Sequence, residues 1–520
     1  MRIRRVLVWP ATILLALGLL MGSAAAQAPG TLVVGLVAEP VNLDPAQVTD
    51  ANSNRVGRRV VETLVAFPDE STQLIPGLAE SWVISKDGLQ YTFTLRKGIT
   101  FHDGTPLNAE AVKFSIMRQI DSTHPANKLG NYPFANYYFG NVKTVEALSE
   151  DRVAFLLKEP RASFLSILTT PAASIVSPSA ALKWGTDYSS HPVGTGPFRF
   201  ASWDRGQRVV LERNPNYWRG PVKLERVIFR PIVEDQARLT ELLTGSLDLM
   251  VGVPADYVAQ LEQNPKVSVL KQVGAHVWYL GMNSQKKPFD DKRVRQALNY
   301  AVNKEAIVRD VLKDTGTPSA GPVLPKTWAA DPTLKPYPYD PARAKKLLAE
   351  AGFPNGFSTT MWVPESGSGM QSPVAMATVM QSNLKAVGVN ATLQTMEWGA
   401  FLAKLRSREQ DLFALSWMAG SEDPDMVMYP LLHSSQWTPN GPNRALYKNA
   451  RFDMLLEQGR QTTDQAKRAQ LYREAQRILA EDAPWVFTDH EIQTAALAKR
   501  VQGFKLHPSF DLRVETVSLK

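Results

Sequence analysis

Ala79-Glu80-Ser81-Trp82-Val83-Ile84-Ser85-Lys86-Asp87-Gly88-Leu89-Gln90-Tyr91-Thr92-Phe93-Thr94-Leu95-Arg96, continued by Phe101-His102-Asp103-Gly104-Thr105-Pro106, lies early in a chain of 520 residues. Leu89, Tyr91, Phe93 and Leu95 alternate with Gln90, Thr92, Thr94 and Arg96. This period of two predicts a half-buried strand, entered through an Asp87-Gly88 turn. A helix is expected to start at Asn108 and to run through Val112 and Ile116. Trp82, Tyr91 and Phe93 are expected in a core. His102-Asp103-Gly104 directly follows a strand and reads as a turn with a satisfied side chain.

Outward from this unit the chain mixes helix and strand. Val294, Ala297, Leu298 and Ala301 recur at helical spacing after Asp290-Asp291, which suits a helix N-terminus. Asp340 as N-cap, Pro341 in the first turn and Gly352 past the end bracket a second helix. A late helix carries Leu471, Tyr472, Ala475, Ile478 and Leu479 and stops before Pro484. Leu32–Val37, Arg208–Glu212, Val227–Ile232 and Leu412–Trp417 read as strands. There is no internal repeat, and the 36 prolines are scattered rather than gathered into a linker. A chain of this length without linkers predicts domains interleaved by several crossings.

Composition closes several routes. The chain has no cysteine, which excludes disulfides, thiolate-bound zinc, iron–sulfur clusters, a cysteine nucleophile and lipidation of an N-terminal cysteine. Arg2, Arg4 and Arg5, the apolar run Val6–Met21 and the small-x-small site Ala26-Gln27-Ala28 read as a secretory signal peptide over residues 1–28. The formal charge of +8 includes those three arginines, so the chain beyond them carries a modest +5. No basic stripe interleaved with aromatics points to nucleic acid. No second apolar run reaches eighteen residues, so the expectation is a periplasmic protein, exported, soluble and not lipidated.

Catalytic signatures are thin. His490-Glu491 begins like a zinc-protease helix, but position 494 is Thr where the second His belongs. Ser366-Gly367-Ser368-Gly369 has Ser where a nucleophile elbow has Gly. Gly194-Thr195-Gly196 lacks the third glycine of a dinucleotide fingerprint. Asp423 and Asp425, flanking a proline, read as a solvated turn. No enzyme activity, no cofactor and no metal are expected.

The opening stretch resembles the signature of the family 5 extracellular solute-binding proteins, the dipeptide-, oligopeptide- and nickel-binding components of ABC importers. Gly194-Thr195-Gly196-Pro197-Phe198, Asn214-Pro215-Asn216-Tyr217-Trp218, Val294–Ala301 and Tyr339-Asp340-Pro341 resemble further family blocks in the same order. Tyr472–Gln476 and Pro484-Trp485 extend the similarity to the C-terminal part. The resemblance implies an α/β two-lobe periplasmic binding protein of the Venus flytrap, cluster C type, with an extra inserted domain. Lobe I would be 29–71, 191–286 and 488–520, the insertion 72–190, and lobe II 287–487. Hinge crossings would lie near Asn283–Lys287 and Phe487–Glu491.

It also implies a function: capture of a small polar, peptide-like solute between the lobes by a monomer, and delivery to an ABC permease and its ATPase. A metal-chelate or nickel binder of the same family, or a periplasmic hydrolase, are the alternatives. The implied ligand-binding residues are Ser416, Trp417, Met418, Ala419, Gly420, Glu422 and Asp423 on one side, with Glu39 and Asn42 facing them from the other lobe. In peptide-binding relatives an Asp three residues past the Trp takes the ligand's α-ammonium. Here that position is Gly420, which leaves Glu422 or Asp423 as substitutes. Trp278, Tyr279 and Trp398 are aromatic candidates for stacking on the ligand or for core packing. Lys404 and Arg406 read as an exposed cationic face, and the aromatic run Asn131–Phe139 could close over a ligand or pack locally.

Overall fold

The structure is a computed structural model and describes residues 29–366, 369–437 and 441–520. The signal-peptide segment 1–28 lies outside the described residues, as do positions 367–368 of the Ser-Gly repeat.

One sheet of twelve strands runs through most of the molecule, in the order 389–396, 357–364, 412–418, 276–282, 485–498, 249–251, 31–36, 226–231, 208–213 and 198–204. Strands 267–273 and 316–318 also pair with 485–498. That strand, Trp485–Ala498, is 14 residues long and almost wholly buried. Its first part pairs with His276–Met282, and its second part with Leu249–Val251 and Val267–Val273. The sequence explains the division. Trp-Val-Phe and Ala-Ala-Leu-Ala at the two ends enter apolar cores, while Asp489, His490, Glu491, Gln493 and Thr494 fall where the strand passes from one lobe to the other.

Strand pairing changes partner between Val273 and His276, so the first crossing lies at Gly274–Ala275, earlier than the expected 283–287. A Cβ on Gly274 would stand 2.1 Å from the Phe510 ring, so only glycine fits that close approach. The second crossing, through Asp489–Gln493, overlaps the expected 487–491.

The first lobe grows from Thr31–Leu36, which pairs in parallel with Arg226–Pro231 and with Leu249–Val251. Leu32, Val34 and Leu36 enter one core with Phe229 and Leu211, and Val33 enters another with Leu242 and Leu261. A strand covered on both faces reads as a continuous apolar run, as this one does.

The inserted body is a four-stranded antiparallel sheet, ordered 79–84, 90–95, 152–157, 142–149. Tyr91, Phe93 and Leu95 are buried, as the alternation predicts. At the turn, Asp87 accepts from the Leu89 N–H at 3.0 Å and Gly88 has φ +70°. Helix Ala109–Ile120 covers the sheet, and its N-cap is Asn108, whose Oδ1 accepts from the Ala111 N–H. The core of this body also takes in Leu64 and Val65 and, from the later part of the chain, Met426. The second lobe holds two cores, on opposite faces of strands 276–282 and 412–418. Helices Lys292–Ala301, Pro341–Glu350 and Gln465–Asp482 stand where their caps predict, with Asp291 and Asp340 as N-caps.

Buried charges tie the insertion to the first lobe. Arg118 grips Asp44 through two bonds of 2.6 and 2.9 Å, both side chains 2% exposed. Burial pushes the Asp44 carboxyl up, but the Arg118 charge more than offsets this and holds it below the usual carboxylate range. His102 accepts from the Gly194 N–H, so its Nε2–H donates to the Gly196 carbonyl at 2.9 Å, confirming a satisfied turn. His507 likewise accepts at Nδ1 from the Ser509 N–H, leaving Nε2–H to the carbonyls of Pro68 and Ser71.

Two predictions follow from these buried groups. Arg118→Met leaves the Asp44 carboxylate uncompensated and should lower the unfolding free energy by about 3–5 kcal/mol in urea titrations near neutral pH. Because Asp44 titrates lower when folded, its contribution is present above its unfolded value and disappears as pH falls through the folded one. Burial pushes His507 down to about 4, so the unfolded chain holds one more proton between that value and about 6.5. His507→Gln should therefore flatten the rise of stability with pH in that window by about 1.4 kcal/mol per unit, and an unchanged slope overturns a neutral His507.

Candidate functional site

The loop after strand Leu412–Met418 meets the crossing strands beside the inserted body. Ala419 donates its N–H to the Ala275 carbonyl at 2.8 Å, which fixes the loop to the first crossing. Trp417 donates its indole N–H to the Met426 carbonyl at 2.9 Å. A cavity of about 20 Å³ lies here, lined by His276, Val323, Trp417, Ala419 and Glu422 among others. That volume accommodates about one water molecule, far less than the several hundred Å³ of a small-molecule site.

A buried charge cluster follows in the same loop. Asp425 is fully buried and accepts from Ser163 Oγ at 2.5 Å, with Arg161 at 3.4 Å and Arg460 at 3.3 Å. Arg161 and Ser163 belong to the insertion, whereas Asp425 and Arg460 belong to the second lobe. Arg161 also donates to the carbonyls of Tyr137 and Tyr138, and the Tyr137 hydroxyl reaches Met426 Sδ at 4.0 Å. Burial raises the Asp425 carboxyl, but Arg460 and Arg161 outweigh it and keep the group ionised. Asp423 is gripped by Arg468 through two bonds of 3.0 Å. The pair Asp423 and Asp425 is thus a buried ionic junction, not the solvated turn expected from Asp-Pro-Asp.

The expected site residues divide. Ser416, Trp417, Met418, Ala419, Gly420 and Glu422 are all half-buried around the loop. Gly420 has φ +70°, and nothing stands within 4 Å of where its Cβ would be. Glu422 makes no hydrogen bond or ion pair among the described residues, whereas both Asp423 oxygens accept from Arg468. Glu39 accepts from Trp203 Nε1 and the Gly206 N–H, and the Asn42 carboxamide from the Asp44 N–H; both brace their own lobe.

Trp278 and Tyr279 are 1% exposed and sit in the second lobe's cores, Tyr279 stacked on Trp485 at 3.6 Å. They project from opposite faces of one strand, Trp278 into one core of the second lobe and Tyr279 into the other. Trp398 is half-buried and packs on Phe401. Exposed Lys404 lies 4.5 Å over the Trp362 ring.

Two residues at the crossing carry no pattern in the sequence. His276 accepts at Nδ1 from the Glu491 N–H, 3.2 Å, so Nε2–H donates to the Gly369 carbonyl at 2.6 Å. Burial lowers its basicity, and it is the neutral tautomer that bridges the two crossings to lobe II. Glu491 Oε2 is buried without a hydrogen bond. Away from the crossing strands, Arg55 on helix Ala51–Gly57 of the first lobe donates to Asn52 Oδ1 at 3.1 Å.

The whole arrangement matches one group of proteins. The family model for bacterial extracellular solute-binding proteins, family 5, covers residues 73–439. The chain belongs to that family. It is 35% identical over 516 residues to the glutathione-binding protein GsiB of Escherichia coli, covering 98% of each. Heme-binding protein A of Haemophilus influenzae is 36% identical over 495 residues, 92% of this chain and 90% of that protein. Among solved structures, the ABC transporter-associated periplasmic binding protein DppA of Helicobacter pylori, in complex with the peptide STSA, superposes with a TM-score of 0.86. It is 32% identical, with 94% of this chain and 98% of that chain covered. The fold is therefore the two-lobe family fold with an inserted domain, and these relatives are binding proteins.

Asp425→Asn removes the counter-charge shared by Arg161 and Arg460 across the two bodies. The variant should populate an opened form, seen as a larger radius of gyration by small-angle scattering of the ligand-free protein. An unchanged scattering profile would overturn this junction as the fastening between the two bodies.

Proposed function

We propose that this family 5 protein is exported under the segment 1–28, closes its lobes on a small polar, peptide-like solute, and hands it as a monomer to an ABC permease driven by its ATPase. Lobe I would be the body around Thr31–Leu36 and lobe II the body around Leu412–Met418. The carrying observation is the loop 416–422, tied to the crossing through Ala419 and Ala275, most of whose side chains remain half-buried and whose Glu422 has no partner among the described residues. A ligand that touches both lobes stabilises the closed form by its differential contacts, and burying its charges requires partners of opposite sign. The role is binding without turnover. Relatives named for glutathione, heme and peptides support a solute of that breadth.

Gly420 argues against the usual grip on a peptide N-terminus. Its left-handed φ tolerates Asp at a cost of about 1 kcal/mol, and the space beyond its Cβ is open. Thermal unfolding against glutathione, dipeptides, opines, sugars and nickel chelates tests the reading. A ligand at a hundredfold excess over its Kd should stabilise by about 2.7 kcal/mol. Dipeptides should protect the natural chain weakly and Gly420→Asp more strongly. Stabilisation by sugars or nickel chelates alone would overturn the peptide-like class.

A further inference from the structure

Strand Trp485–Ala498 carries two buried carboxylates close together where it passes between the lobes. Asp489 is 3% exposed and Glu491 9%, and Asp489 Oδ1 and Glu491 Oε2 are buried without a hydrogen bond. Two residues apart on one strand, they share a face, with Cα atoms about 7 Å apart. Pairing sets Trp278 directly opposite Asp489 on one edge, and its indole N–H is also buried without a hydrogen bond. On the other edge, Gly316 lies opposite Glu491 and Pro318 opposite Asp489. A Cβ on Gly316 would stand 3.2 Å from Asp489 Oδ2, so bare backbone covers the carboxyl.

The groups packed against Asp489 bring no positive charge. On its own strand Glu491 is an acid, and His490 projects from the other face, its Nδ1–H donating to the His276 carbonyl at 2.7 Å. On strand His276–Met282, Trp278 is neutral. His276 accepts at Nδ1 and gives Nε2–H to the Gly369 carbonyl, and burial lowers its basicity. Strand Gly316–Pro318 has no ionisable side chain, and Lys313 and Asp314 before it are exposed. Glu491 is the charge that acts on Asp489 among the described residues. An ionised carboxylate removed from water with no counter-charge is costly, and a second carboxylate close by adds repulsion. Burial first, and Glu491 after it, push the Asp489 carboxyl well above the usual carboxylate range.

We propose that Asp489 is carried as the neutral acid and acts as a pH-sensitive latch, seating strand Gly316–Pro318 on the crossing while protonated and releasing it on ionisation. The proton goes to solvent, and the new charge must reach water. The covering strand is the element that yields, because it is three residues long and its ladder is with Trp485–Ala498 alone among the described residues. Trp278, by contrast, stands on a strand of seven residues paired on both edges. Between about pH 3.9 and the raised folded value, the folded chain holds one proton more than the unfolded chain. Asp489 therefore costs the folding equilibrium constant about tenfold per pH unit as pH rises through that window.

Infrared spectra in heavy water and hydrogen exchange read by mass spectrometry test this on the natural chain, D489N and E491Q, with thermal midpoints to verify folding. At neutral pH the natural chain should show the carbonyl band of a protonated carboxyl group that D489N lacks. In E491Q, relieved of the neighbouring charge, that band should vanish at lower pH than in the natural chain. From neutral to alkaline pH, and corrected for intrinsic exchange, residues 312–320 should lose protection about tenfold in the natural chain and keep it in D489N. A neutral-pH spectrum that D489N leaves unchanged overturns the neutral acid. Equal loss of protection in the natural chain and D489N overturns the latch. A band whose titration E491Q leaves in place overturns both, even where D489N does not fold.

Discussion

The backbone ladder of Trp485–Ala498 is the constraint on which the other features depend. One strand gives its first half to the second lobe and its second half to the first, so the bodies share hydrogen bonds through a single continuous sheet. Neither half can leave without abandoning buried backbone groups, which are costly to strand. Motion between the lobes is therefore confined to the few residues where pairing changes partner, at Gly274–Ala275 and around Asp489–Gln493.

Around this pivot the molecule uses buried charge as fastening. Asp44 with Arg118 joins the insertion to lobe I, and Asp425 with Arg161 and Arg460 joins it to lobe II. Such pairs add little net stability against apolar replacements, but losing one partner is expensive, which makes them specific fasteners. The two junctions differ in kind. Asp44 is gripped by a two-pronged fork at short range, whereas the contacts of Asp425 with its arginines are 3.3–3.4 Å. A junction that must part when lobes separate suits the looser geometry.

Much of the fold was legible in the chain because periodicity and caps are local. The alternation at Leu89–Leu95, the Asp87-Gly88 turn and the caps Asn108, Asp291 and Asp340 all stand where the pattern places them. The candidate site was legible only in part. The loop 416–422 was found through its resemblance to relatives. Asp423 was not separable from Glu422 by sequence, because the cation that claims it, Arg468, is 45 residues away. Trp278 and Tyr279 carry the composition of a stacking platform, and only the fold shows both of them buried. His276 and Glu491 gave no signal, since each is an ordinary polar residue until the fold sets the Glu491 N–H against the His276 ring.

By itself the sequence determined the class: strands and helices in α/β order, the family blocks, the missing cysteines and the Gly at 420 where peptide-binding relatives place an Asp. These follow from interactions between residues a few positions apart, or from identity at one position. Only the tertiary structure decided which charges are spent and which are left. Whether a carboxylate is a fastener, as at Asp425, or is left without a counter-charge, as at Asp489, depends on cations contributed by distant segments and on burial, neither of which local sequence encodes.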